Sequence, residues 1–294
     1  MAFKDLNIAE MDRNLSAQER SEWQAIYASY RSGSVMSGDV VGVDEHFYNT
    51  VPEGGTRSVR RMVRCLIVIP YRVKIIIPES ELFLEEEGFQ PPMIQSLCGA
   101  NISFIVTEVD RENGVAVASR KQALEQIRRV NARRRITVGS TVEVDVISVG
   151  RDVCTVTYRG YDVLLPQKEV SYAMVMDLRD SIHPGEKHRA VVKEFNRRKK
   201  LLRLSIKDTM PHPFDGVETR HPIGCTRIAT IVGKYGGGVY CRLYDGITDV
   251  LCSYATMQFD GDYVVGDKVE ILIRKYNYQK KIIFGKVLRK KQAR

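Results

Sequence analysis

The chain has 294 residues, 44% of them hydrophobic, and a formal charge of +9. That length exceeds one ordinary domain and accommodates two or three small cores, while the surplus of cations favours a polyanionic partner without specifying a fold. No apolar run approaches the roughly 18 residues of a membrane span, and the opening MAFKDLNIAEMDRN carries acids where an export signal would be basic and apolar, so a cytoplasmic protein without a membrane partner is expected.

The first predicted element is a helix. Ser16 and Glu19 have the spacing of a capping box, Trp23, Ile26, Tyr27 and Tyr30 fall on one face, and Gly33 ends the run. Such a stripe usually packs on the chain's own core; a protein partner is the alternative. SGDVVGVDEHF then opens a strand, EGGTRSVRR is an insertion, and CLIVIPYRVKIIIP reads as two strands because Pro70, Arg72 and Lys74 interrupt it. The run ELFLEEEG, Glu81 to Gly88, reads as the solvated face of a short helix. GANISFIVTEVDRENGVAVAS, from Gly99, is a hairpin.

RKQALEQIRRVNARRR, Arg120 to Arg135, is rich in helix formers, with only Glu125 to offset its cations. It is either a solvated spacer or a basic rod whose Arg128, Arg129, Arg133, Arg134 and Arg135 contact phosphates. VGSTVEVDVISVG, VCTVTY and YDVLLP follow as strands, the last two joined at Arg159–Gly160, and GEKHRAVVKEFNRRKKLLRLS from Gly185 is a second hairpin. TMPHPFDGVETRHP, with three prolines, reads as an extended linker. IGCTRIATIVGKY, GGVYCRLYDG and ITDVLCS then lead to the hairpin GDKVEILIRKYNYQKKIIFGK from Gly266, and the glycines Gly236 to Gly238 read as a strand kink or bulge.

Aligned on their opening glycines without gaps, the three hairpins place Val109, Phe195 and Tyr276 together, then Asp110, Asn196 and Asn277, then a polar turn. Five strands in roughly 70 residues is the size of a small Greek-key barrel of OB type. The first unit, with its insertion, is the least regular. The predicted order is a helical segment over 1–36, a divergent barrel over 37–119, the linker helix over 120–136, a barrel over 137–208, the proline-rich linker over 209–222, a barrel over 223–290 and a basic tail over 291–294.

Cys65, Cys98, Cys154, Cys225, Cys241 and Cys252 form no CxxC pair and read as small buried residues; Cys225, Cys241 and Cys252 are a remote metal candidate. His46, His183, His188, His212 and His221 fall mainly in loops, without a nucleophile elbow, phosphate loop or ligand pair. No enzyme activity, small-molecule substrate, cofactor or metal is expected.

The opening glycines with alternating strands, the IIPESEL and LLPQKEV turns, and hairpins ending in ASRK, LSIK and FGKV resemble the RNA-binding repeat of small-subunit ribosomal protein S-one, over roughly residues 37 to 290. The resemblance implies tandem OB-type barrels that bind single-stranded RNA, messenger or ribosomal, at the small subunit. The family's RNA face maps onto Tyr240, Leu243, Cys252, Asn277 and Lys281 in the last unit. In the middle unit it maps near Cys154 and Thr157, and on Pro166, Asn196 and Lys200. Two aromatics on the second strand are usual in the family; only Tyr240 of that pair is present, so the cationic contribution is expected to dominate. Arg197, Arg198, Lys199, Lys200, Lys280 and Lys281 would track the phosphates, with Tyr235, Tyr240, Arg242, Tyr276 and Tyr278 nearby; alternation favours partial burial of Tyr276. The first unit has Gly114 where the others have lysine, and a protein-docking role is expected for it. The competing reading is an adaptor in which RNA contact is incidental.

Overall fold

The computed structural model describes residues 16–50, 59–70, 73–86 and 89–291. Helix α1 (Ala17–Ser32) has both halves of the capping box: the Ser16 hydroxyl accepts the Glu19 N–H, and the Glu19 carboxylate accepts the Ser16 N–H at 3.0 Å. Gly33, at φ 66°, stops it in the left-handed conformation glycine adopts without steric cost. Trp23, Ile26 and Tyr27 are buried in the core of the first unit, Ser29 Oγ accepts the Val106 N–H at 3.1 Å, and the Arg111 guanidinium lies 5.1 Å over the Trp23 ring. Three of the four stripe residues therefore form an internal packing face, while Tyr30 stays exposed.

The first barrel is built from β1 (Met36–Thr50), β2 (Val59–Val68), β3 (Lys74–Pro78), β4 (Asn101–Asp110) and β5 (Val115–Ser119), closed in the order β1-β2-β3-β5-β4. The predicted insertion EGGTRSVRR lies mostly outside the described residues. Helix α2 (Arg120–Val130) follows at once, capped by the Ser119 hydroxyl, which accepts the Gln122 N–H at 3.1 Å. The second unit contains β6 (Thr141–Val149), β7 (Val153–Tyr158), β8 (Tyr161–Pro166), the single turn α3 (Gln167–Val170), β9 (Lys187–Asn196) and β10 (Leu201–Ser205). After the short α4 (Val217–Arg220), the third consists of β11 (Thr226–Tyr235), β12 (Gly238–Leu243), β13 (Asp249–Ser253), β14 (Lys268–Asn277) and β15 (Ile282–Lys290), closed in the order β11-β12-β13-β15-β14.

The same irregularity recurs in each first strand: register shifts between Val40 and Gly42, Val146 and Ser148, and Ile231 and Gly233. Such bulges bend a strand and increase its twist, which lets five short strands curl around one core. The middle unit, the more regular in sequence, is the one that stays open: β3 pairs with β5 and β13 with β15, but the middle sheet runs β10-β9-β6-β7-β8 with free edges at β8 and β10. Just past β10, the Ile206 N–H turns instead to the Glu169 carbonyl in α3, at 2.8 Å.

Several loop expectations need correction. Only Glu79–Glu81 forms a single 3-10 turn in place of the expected helix, and of the described ELFLEEEG acids Glu81 and Glu86 are clamps while Glu85 stays solvated. Glu81 accepts the Ser119 hydroxyl at 2.6 Å, Glu85 lies 3.8 Å from Lys121, and Glu86 pairs with Arg128. The linker helix ends at Val130 and a 3-10 turn at Asn131–Arg133, short of 136. The proline-rich segment is not simply extended, because Phe214 and Val217 are buried in the third core and His221 is 1% exposed. His46 and His188 lie on strands β1 and β9. Gly236 and Gly237 form the β11–β12 corner, and a Cβ on Gly238 would sit 2.0 Å from the Cys252 carbonyl. Cys65, Cys154, Cys241 and Cys252 are buried, Cys225 half-buried and Cys98 exposed. Burial pushes the Cys65 thiol up to about 11 and Cys154 to about 12, which makes them packing residues rather than reactive ones. Among the described residues no helix is long and apolar enough to cross a membrane, and no three His, Cys, Asp or Glu side chains gather as metal ligands.

Candidate nucleic-acid interface

The three β-hairpins, β4–β5, β9–β10 and β14–β15, share one corner. The side-chain oxygens of Asp110, Asn196 and Asn277 accept backbone N–H bonds from Asn113, Lys199 and Lys280 at 3.2, 3.1 and 3.0 Å. Asn196 and Asn277 thus hold the turn that presents the cations, and their amide oxygens are occupied in doing so. One residue further, the backbone enters the left-handed region: Gly114 has φ 66°, Lys200 φ 52° and Lys281 φ 51°. Glycine takes that conformation freely, whereas an L side chain there costs on the order of 1 kcal/mol. The lysines therefore occupy a position that stability alone would give to glycine. Lys200→Gly is expected to leave stability unchanged or raise it by up to about 1 kcal/mol, while weakening binding of a polyanion. A drop in melting temperature with polyanion affinity intact would show that Lys200 serves the fold.

Arg197, Arg198, Lys199 and Lys200 are all exposed, as are Lys280 and Lys281. The β9–β10 hairpin divides its charge between two clefts. Arg197 borders a cavity of about 240 Å³ that it shares with Arg129, Arg134 and Arg159, while Lys199 and Lys200 border the open seam between β8 and β10, about 840 Å³. Lys168 borders that seam and also a third cavity, about 500 Å³, between the middle and last barrels, where Lys207, Lys281 and Tyr240 lie. A run of cations thus passes from the linker helix across both barrels.

Other predicted site residues are committed elsewhere. The Arg128 side chain is 13% exposed, pairs with Glu86, donates to the Gly160 carbonyl at 2.8 Å and lies 4.1 Å over the Tyr161 ring, so it is a packing residue and not a phosphate contact. Arg129, Arg133, Arg134 and Arg135 are exposed. Arg242 is also corrected: its Nε donates to Asp249 at 2.9 Å and its Nη2 to the Met174 carbonyl, which joins the third barrel to the loop after α3. Tyr276 donates to the His221 carbonyl at 2.6 Å, in keeping with partial burial; Tyr278 bonds Glu218 but keeps an exposed ring.

The positions carried over by family resemblance divide by strand alternation. On β12 and β13, Val239, Cys241, Leu243, Val250 and Cys252 point into the core, while Tyr240, Arg242 and Leu251 form the outer face. Leu243 and Cys252 are thus core residues, and so is Cys154 on β7. Thr157 lies under the linker helix in a small cavity with Leu124 and Gly160; a Cβ on Gly160 would meet the Leu124 carbonyl at 2.6 Å. The β7 face of the middle unit is consequently covered, and Pro166 borders the β8–β10 seam. Tyr235 and Tyr240 form an edge-on pair with ring centroids 5.3 Å apart, and burial raises the Tyr235 phenol pKa.

Residues that the repeat alignment does not reach complete the interface. The Tyr172 and His212 rings lie between the barrels with centroids 4.4 Å apart, tilted at 49°, and Lys207 lies 5.2 Å from the Tyr172 ring. They stand in connecting segments without a counterpart in the other units, so internal repetition carries no signal for them.

No family model matches the chain. It is 32% identical over 125 residues to small ribosomal subunit protein bS1 of Staphylococcus epidermidis, covering 41% of this chain and 31% of that one. Against bS1 of Rhizobium meliloti it is 21% identical over 249 residues, covering 84% of this chain and 40% of that one. It is also 28% identical over 185 residues to a 4-hydroxy-3-methylbut-2-enyl diphosphate reductase of Clostridium tetani, covering 61% of this chain but 28% of the reductase. The chain spans less than half the length of these relatives. Among solved structures, a multidomain protein with nucleic acid binding domains from Streptococcus pneumoniae aligns over 87% of this chain and 73% of its own, with 8% identity and a TM-score of 0.20. Three consecutive five-stranded units, two closed and the middle one open, with one hairpin corner repeated in each, accompany the sequence likeness to several bS1 proteins: the chain is similar to small-subunit ribosomal protein S-one and carries S-one-like barrel repeats in tandem.

Proposed function

We propose that this chain binds single-stranded RNA along the cationic track that crosses its middle and third units, in the cytoplasm, and that it holds messenger RNA near the small ribosomal subunit during translation. The observation that carries this reading is the continuity of the track: Arg134 and Arg197, then Lys199 and Lys200, then Lys168, then Lys207 and Lys281, with Lys168 bordering both the seam and the inter-barrel cavity. Spaced cations on a groove hold a phosphate backbone, and the half-buried Tyr240 adds a surface for stacking. Few groups on this path can read a base edge, so weak sequence selectivity follows. The reading is non-catalytic; the reductase relative matches through a minor part of its own length.

The adaptor reading draws its support from the first unit, whose hairpin corner lacks the lysine and whose β1–β2 arm pairs Phe47 with Met62, both more than half exposed. We assign that unit to protein contact beside RNA-holding units two and three. Co-sedimentation with small subunits tests the location: the chain is expected to travel with them at low salt and to dissociate as salt rises. Failure to co-sediment at low salt, with RNA binding intact, would remove the ribosomal part and leave the RNA part standing.

A further inference from the structure

We infer that the cavity between the middle and third barrels holds one unpaired nucleotide of the bound strand, with the base against Tyr172, His212 and Tyr240 and the flanking phosphates on Lys168, Lys207 and Lys281. The inference rests on the RNA reading above and adds to it a specific pocket made by two repeats together, where neither barrel alone supplies the walls.

The cavity, about 500 Å³, falls within the roughly 300–1,000 Å³ common for small-ligand sites. Its walls combine flat rings with aliphatic surface from Leu251 and Ile283. That mixture suits a nucleobase, which offers two apolar faces and a polar edge.

The walls are held in place. The Met174 N–H donates to the Asp249 carboxylate while the Met174 carbonyl accepts from Arg242, so one residue of the middle unit is clipped on both sides by the third barrel. Gly233 makes room for this, since a Cβ there would lie 3.0 Å from the Met174 sulfur. Tyr172 is oriented by its hydroxyl, which donates to Asp208 at 3.0 Å, and Asp208 is in turn 3.0 Å from Lys193. On His212, Nδ1 accepts the Phe214 N–H at 3.0 Å, which places the proton of the neutral ring on Nε2. Burial, and then the charge on Lys281, lower the His212 pKa, so the ring is a neutral stacking partner with one donor. The acid in the wall, Asp249, is already engaged by Arg242, and Lys281 is partly offset by Asp215 at 3.4 Å on an exposed edge, which leaves the ammonium groups of Lys168 and Lys207 as the main source of positive potential.

The test uses the full chain and twelve-nucleotide oligouridines, each with a single 4-thiouridine at a different position, irradiated and mapped by peptide mass spectrometry. Crosslinks to the peptides carrying Tyr172 or His212 are expected. His212→Ala is expected to weaken binding of the unmodified strand by about tenfold, and to have little effect on a strand of the same length made of abasic residues. A purely structural loss would weaken both strands equally and would overturn the inference. Salt-sensitive RNA binding with crosslinks confined to the 197–200 turn would overturn the pocket while leaving the RNA reading intact. Absence of RNA binding would overturn both.

Discussion

Replacement of Arg197, Arg198, Lys199 and Lys200 together by glutamine is expected to weaken single-stranded RNA binding by about a hundredfold near 0.1 M salt, equally for all sequences. Each phosphate neutralised on a single strand contributes about −0.7 to the slope of log affinity against log salt, so losing up to four contacts makes the slope shallower by as much as about 3. The loss falls on two clefts at once, because Arg197 faces the linker arginines and Lys199 and Lys200 face the β8–β10 seam. Glutamine keeps the length and polarity of the side chains, and all four are exposed beyond the Asn196 corner. Folding is therefore expected to be unaffected. Unchanged RNA affinity in this variant would show that the hairpin points away from the strand and would break the track at its centre.

The largest effect on stability is expected from Arg120→Leu. Its side chain is 1% exposed and forms a two-pronged pair with Asp162, both N–O distances 2.7 Å; Nη1 also donates to the Leu82 carbonyl at 2.8 Å. This residue opens the linker helix at the end of the first barrel, while Asp162 lies on β8 of the middle unit, so the pair joins the two. Removing the arginine leaves a carboxylate with 6% exposure and no counter-charge, a change that costs about 3–5 kcal/mol. Adding Asp162→Leu should recover much of the loss, since the paired charges gain little over apolar groups of similar size. Denaturant titration of the single and double variants measures both quantities. A loss under about 1 kcal/mol for Arg120→Leu would mean that the two units are joined by apolar packing, such as Ile147 in the first core, and not by this ion pair.

How much of this was legible in the sequence depended on the range of the interactions involved. The α1 cap and packing stripe, the three hairpins and the strand order were readable because alternation, capping and turn chemistry act over a few residues and recurred three times. The linker helix illustrates the limit. With only Glu125 among its cations, its Arg128 was expected to contact phosphate and Arg120 carried no assigned role; their partners, Glu86 and Asp162, are each 42 residues away in sequence. Two runs of opposite net charge were the signal that could have linked ELFLEEEG to RKQALEQIRR. Strand faces were a second limit. A one-residue difference in register moved Leu243 and Cys252 from the expected RNA face into the core, and the outward neighbour of Tyr240 proved to be Arg242. Closure of a barrel was likewise invisible locally, since it depends on whether β8 meets β10. Tyr172 and His212 come together across two connecting segments, with the Tyr172 hydroxyl bonded to Asp208, four residues before His212, a contact no local pattern announces.

The central claim, that a track of cations across two repeats holds a single RNA strand, is tested most directly by the affinity of the intact chain for unstructured RNA across a salt series. Binding is predicted to fall steeply, with a slope of about −3 to −5, as expected for four to seven phosphates at about −0.7 each, and with little dependence on sequence. An affinity that is absent at low salt, or that does not change with salt, would contradict the account.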